Sequence, residues 1–134
     1  MPGQSSSTIP ESHRDILAST ALANVATIGP DGAPQVNPVW FEWDGTDLRF
    51  GQVATRQKGR NLRRNPAIAV AIVDPANATR YLEIRGVARL EPDPDAELTH
   101  RLGKKYLGVD RFPYLQPGEE RLQVVVEPRH VTFQ

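Results

Sequence analysis

The sequence predicts a small, mostly antiparallel β-barrel with short helices at its corners. Three observations predict it: apolar residues recur with a period of two in several separate runs, dense turn chemistry separates those runs, and only one segment sustains a helical apolar stripe. At 134 residues the chain fits one domain, and it has no cysteine that would staple a smaller core. We read residues 1–8, rich in Gly, Gln and Ser, as a disordered tail and 9–134 as the single barrel domain.

Taken in order, Pro10 to Thr20 reads as a short helix with Ile16 and Leu17 on its buried side. Leu22 to Ile28 is a strand, followed by Gly29-Pro30-Asp31-Gly32, in which proline presets one turn dihedral and glycine admits positive φ. Pro34 to Trp43 is the second strand. It ends at Asp44-Gly45, a strong hairpin signal, and Asp47 to Val53 follows with Leu48 and Phe50 on one face. These three strands are expected to form a meander.

Thr55 to Asn65 changes character and reads as a short helix, with Thr55 as its N-cap and Asn65-Pro66 as its stop. Ala67 to Asp74 is a strand in which Ile68, Val70 and Ile72 alternate with alanines, so one face packs a core while the other admits a close neighbour. Arg80 to Glu91 alternates Leu82, Ile84, Gly86, Ala88 and Leu90 against Glu83, Arg85, Val87 and Arg89, leaving one wet face. Asp93-Pro94 is expected to open the one long helix, with Leu98, Leu102 and Tyr106 at i, i+4 and i+8 and Gly108 as its end. Arg121 to Phe133 is the last strand, where Pro128 marks a bend or an edge. The expected count is six strands.

Composition excludes several classes of function. Sixteen basic residues balance sixteen acidic ones, so no general field attracts nucleic acid or an anionic membrane. The longest apolar run, Ala67 to Val73, is too short to span a bilayer, and no basic-then-apolar leader precedes it. A cytoplasmic protein is the expectation. His13, His100 and His130 stand apart without ligand spacing, so no metal site is expected. Neither a G-x-S-x-G elbow nor a G-x-G-x-x-G or P-loop pattern is present.

Two segments carry possible chemistry. Arg56, Lys58, Arg60, Arg63 and Arg64 place five cations within nine residues that hold no acid. Thr55, Arg56 and Lys58 could converge on a phosphate at a helix start, or the cluster could be a solvated helix face. A nucleic-acid patch fits less well, because no aromatic residue interleaves the charges. In Pro34 to Trp43, Pro38 removes a ladder donor and frees neighbouring backbone groups, which suits a flat polar ligand. The competing reading places Phe41 and Trp43 in the core with Trp40 over the barrel end.

The ordered run D-G-x-P (31–34), D-G (44–45), T-R-x-K-x-R-N-L-x-x-N-P (55–66) and I-R-G (84–86) resembles the pyridoxamine 5′-phosphate oxidase-like superfamily, and within it the branch of deazaflavin (coenzyme F420)-dependent reductases. That resemblance covers about residues 10–133 and implies an FMN-binding-type split β-barrel. It also implies a homodimer with the cofactor in a groove between the chains, and hydride transfer from reduced F420 to a small or flat unsaturated acceptor. Carried over by position, Thr55, Arg56 and Lys58 become phosphate ligands and Arg60 a ligand for the acidic tail. Asn37, Pro38, Val39 and Trp40 become the ring-side wall, and Tyr81 reaches the cofactor from a facing strand. No catalytic side chain is implied. The alternatives on the same fold are an FMN-dependent oxidase or reductase and a non-enzymatic flavin or tetrapyrrole binder. Vitamin B6 oxidases carry an arginine where Asn37 stands, a lysine near Glu42 and a C-terminal R-x-R-L-x-P; here Glu127-Pro128-Arg129-His130 stands in its place, which argues against that activity.

Overall fold

In the computed structural model, which describes residues 8–134, Glu11–His13 form a 3₁₀ turn that leads into α1 (Arg14–Ala18). Then come β1 (Ala23–Ile28), β2 (Pro34–Val39), β3 (Glu42–Trp43), β4 (Leu48–Val53), α2 (Gln57–Arg64), β5 (Ala67–Val73), β6 (Tyr81–Pro92), α3 (Glu97–Leu107) and β7 (Arg121–Phe133). The strands form one antiparallel sheet in the order β2-β1-β5-β6-β7-β4-β3. The expected tail falls outside the described residues except for Thr8, which is exposed.

The sheet has seven strands, where the sequence predicts six, and the difference explains the barrel. The predicted strand Pro34 to Trp43 divides at Trp40 and Phe41: β2 pairs with β1 at one edge, and β3 pairs with β4 at the opposite edge. Val39 and Glu42 are three Cα steps apart, a reach of at most about 11 Å, so the two edges of the sheet must come that close. The sheet therefore curls into a split barrel, and the expected meander is two hairpins on opposite edges. The break is stable because the backbone of Phe41, whose side chain is fully buried, finds partners outside the ladder. Its N–H donates to Tyr106 Oη at 3.3 Å, and its carbonyl accepts from Lys105 Nζ at 2.7 Å. Tyr106 Oη in turn donates to Ala21 O at 2.7 Å, so α3 pins the seam.

The barrel interior collects the alternating positions that the sequence marks, among them Ile68, Val70 and Ile72 of β5, Leu82 and Ile84 of β6, and Val124 and Val126 of β7. Ile16 and Leu17 of α1 join the same core. The ladder between β6 and β7 slips at Arg85/Gly86, where a methyl on Gly86 would lie 2.2 Å from Glu127 O. Pro128 lies opposite Gly86, beyond the stretch of β7 that pairs with β4, so its missing N–H breaks no bond on that side.

Helix α3 starts at Glu97, later than the sequence predicts, after Ala96 in a left-handed conformation (φ 54°). Asp93 still caps it: its two carboxylate oxygens accept the amides of Glu97 (3.0 Å) and Leu98 (3.1 Å). Gly108, at φ 73°, ends the helix as expected. Among the described residues no helix is long and apolar enough to cross a membrane.

Candidate cofactor site

Helix α2 is fixed from beneath by a buried polar network. Asn61, fully buried, donates to Thr27 Oγ1 and Gln35 Oε1, both at 3.0 Å, and accepts from Gln57 Nε2 at 2.7 Å. Leu62 packs into the core beside it. On the side facing β4, Gly59 allows the helix to close on the chain, since a methyl there would sit 2.6 Å from Ala54 O. The first turn of α2 is thereby held over the end of β4 and beside β2.

The N-cap is Arg56, in an extended conformation and with no side-chain capping bond, so the expected cap at Thr55 is corrected by one residue. The backbone of Thr55 is used differently: its carbonyl accepts from the Arg60 guanidinium, which also bonds Gln57 Oε1. Arg63 pairs with Glu120 at 2.7 Å, and Arg64 donates to Ile28 O at 2.8 Å. Two cations of the cluster, Arg56 and Lys58, line a groove of about 750 Å³.

Asn37, Pro38, Val39 and Trp40 form one wall of that groove, and Gln35 of the same strand joins them. Gly51, Gln52 and Val53 of β4, Thr99 and Leu102 of α3, and Phe112 and Arg121 also line it. Lys58 Nζ donates to Asn37 Oδ1 at 2.8 Å, which ties the cationic turn to the ring-side strand. Burial, and then the like charge of Arg56, hold the Lys58 ammonium below its usual pKa, so an anion arriving here meets a lysine whose charge lacks full solvation. Trp40 stacks on Tyr106 (centroids 5.1 Å apart, 6° between planes) and meets Phe112 edge-on at 5.8 Å. Trp40 and Phe112 thus bring aromatic surface into a groove that Arg56, Lys58 and Arg121 also line.

Six of the nine positions expected at the site, Asn37, Pro38, Val39, Trp40, Arg56 and Lys58, line this groove. Thr55, Arg60 and Tyr81 do not. Arg60 folds back on its own helix, and Tyr81 begins β6 opposite Val73, its backbone bonded to Gln134. The sequence reading missed Gln52, Thr99 and Arg121. None of them belongs to a motif, and only an arginine at the head of an apolar strand offers a hint. Among the described residues no cluster of His, Asp and Glu could hold a metal ion.

The family model for pyridoxamine 5′-phosphate oxidase matches residues 9–134. A solved structure named F420 reductase is 39% identical over 92% of this chain and 98% of its own, with a TM-score of 0.82. A conserved hypothetical protein from Mycobacterium tuberculosis is 27% identical, covers 92% of this chain and 83% of its own, and has a TM-score of 0.71. A heme binding protein from Mycobacterium smegmatis shares the fold at 23% identity and a TM-score of 0.72, over 95% of this chain and 55% of its own. With strand order, groove and family match in agreement, this chain belongs to the pyridoxamine 5′-phosphate oxidase family.

Proposed function

We propose that this protein is an F420-dependent oxidoreductase that reduces a small or flat unsaturated acceptor. One observation carries the reading: Arg56 and Lys58 at the start of α2 open into the same groove as the Asn37–Trp40 strand, with Lys58 bonded to Asn37. The relationship to the F420 reductase supports it. The residues present fit such a cofactor. A groove of about 750 Å³ is within the usual range for a cofactor-sized ligand. Its lining combines the cations Arg56 and Lys58 with the aromatic Trp40 and Phe112.

In this reading Arg56 and Lys58 hold the phosphate, and Pro38, Val39 and Trp40 support one face of the ring system. Phe112 and Leu102 keep water from the buried part of the groove. When bound in its reduced form, the deazaflavin supplies the hydride. The protein contributes binding and orientation, and no side chain is assigned as acid or base. Tyr106 is unsuited to donate a proton, since its hydroxyl already donates to Ala21 O. The proposal includes a homodimer whose second chain covers the open side of the groove; the exposure of the apolar Leu22 in its lining supports this.

Titration with F420, FMN and biliverdin, each followed by assay for acceptor reduction, tests the reading. F420 is expected to bind and turn over. Tight FMN with a yellow protein as isolated would favour a flavin oxidase, and biliverdin binding without turnover a carrier. Lys58→Ala and Arg56→Ala should each weaken F420 by tenfold or more, from the loss of about 1.5–3 kcal/mol in charge-assisted bonding. Both variants staying within about threefold would refute the assignment.

A further inference from the structure

Arg121 lies in the groove and the proposed phosphate ligation does not use it. It heads β7 directly opposite Val53, the last residue of β4, and so emerges beside the start of α2. Its side chain is only 16% exposed, and its hydrogen bonding is incomplete. Nη2 donates to Glu119 Oε1 at 2.9 Å, Nη1 makes a long 3.4 Å contact with Thr99 Oγ1, and the buried Nε–H has no partner. A guanidinium this enclosed ordinarily has its donors matched.

Glu119 is the acid that faces it, from the irregular segment between α3 and β7. Its carboxylate also accepts the Gln116 amide at 3.0 Å, and its other oxygen lies 3.7 Å from Arg56 Nη2. That backbone bond and the guanidiniums of Arg121 and Arg56 hold the Glu119 carboxyl below the usual carboxylate range, so it is ionised at neutral pH. An oxyanion thus already sits between two groove arginines, and it belongs to the protein itself.

We propose that Arg121 and Arg56 form an oxyanion subsite of the groove, and that Glu119 is its built-in occupant, displaced when a phosphate or carboxylate of the ligand enters. The inference rests on the cofactor reading only for the identity of the ligand. Its consequence is selectivity: a ligand must carry an anionic group to recover what Arg121 loses when Glu119 leaves, so phosphate-free ring systems gain nothing from this subsite. The segment that carries Glu119 also carries Phe112, which touches Trp40, so release of the carboxylate and access to Trp40 are coupled through one loop.

The test compares wild type, Glu119→Gln and Arg121→Gln in the full chain, titrated with F420, FMN and phosphate-free riboflavin at low salt. Glu119→Gln is expected to tighten F420 and FMN by about five- to tenfold, and Arg121→Gln to weaken them by tenfold or more. Riboflavin should change less than twofold in either variant. If Glu119→Gln leaves phosphate-bearing ligands within twofold or weakens them, Glu119 orders its loop and the proposal is overturned. Pyrophosphate provides a second probe that separates this inference from the cofactor reading. If no chromophore binds wild type, the cofactor reading fails, yet pyrophosphate should still raise the melting temperature of Glu119→Gln more than that of wild type. Equal shifts in the two proteins would sink the subsite. Circular dichroism and a melt of each variant without ligand identify loss of fold, and in that case Arg121→Lys replaces Arg121→Gln.

Discussion

Replacing Gly59 with alanine tests whether the cationic turn is positioned by close packing. A methyl at this position would lie 2.6 Å from Ala54 O and 2.9 Å from Val53 O, where ordinary contact begins at 3.4 Å. Both obstacles are backbone, so α2 has to back away by about 0.8 Å. Lys58 follows Gly59 in this motion, and a shift of that size is enough to stretch its 2.8 Å bond to Asn37 past the limit of a hydrogen bond. Overpacking against rigid backbone costs about 2–3 kcal/mol, and alanine in a helix recovers about 1. The net loss of about 1–2 kcal/mol should lower the melting temperature by about 3–8 °C. F420 affinity should fall by tenfold or more, because the cations no longer face the Asn37–Trp40 wall. Thermal melts and cofactor titration read the two effects separately. Gly103→Ala in α3 is the control: its methyl would come no nearer than 3.4 Å to Val109 Cγ2 and 3.5 Å to Phe112 Cα and Cβ, ordinary contact distances, and the change should be neutral or slightly stabilising. A Gly59→Ala protein that melts and binds like wild type would refute the reasoning.

Asp44 ties the β3–β4 hairpin by accepting from Thr46 N and Oγ1, Asp47 N and Arg49 Nε at 2.7–3.0 Å. Burial pushes its carboxyl upward, but the Arg49 guanidinium and the turn amides outweigh that and hold it well below the carboxylate range. A lowered carboxylate contributes stability that is complete above its unfolded value of about 4 and is lost as pH falls below it. Asp44→Asn should therefore cost about 1–2 kcal/mol at pH 7, and the deficit relative to wild type should shrink between pH 4 and pH 2 in urea titrations. Tyr106→Phe keeps the ring on Trp40 but leaves Ala21 O and Phe41 N without their hydroxyl partner, an expected loss of about 1–3 kcal/mol on denaturation. Gly86→Ala meets Glu127 O at the β6–β7 irregularity and should destabilise more than Gly59→Ala, with a smaller effect on F420 affinity per degree of melting temperature lost.

Much of this protein was legible from local pattern. Period-two alternation marks the buried faces of β5 and β6, Asp44-Gly45 marks a hairpin, and Gly108 ends the long helix, because each of these depends on neighbours a few residues away. The cationic cluster and the Asn37–Trp40 strand were legible as motifs for the same reason. Tertiary structure decided the rest. Pro34 to Trp43 reads as one strand, yet the curl of the sheet splits it at Phe41 and sends its halves to opposite edges, where Lys105 and Tyr106 satisfy the freed backbone. Which cations face the groove was equally hidden: Arg60 folds back on Thr55 and Gln57, while the register of β7 against β4 delivers Arg121 to the site from a distant part of the chain. Periodicity encodes which side of an element is buried. Strand register and sheet closure join residues far apart in sequence, so no local pattern reports what they bring together.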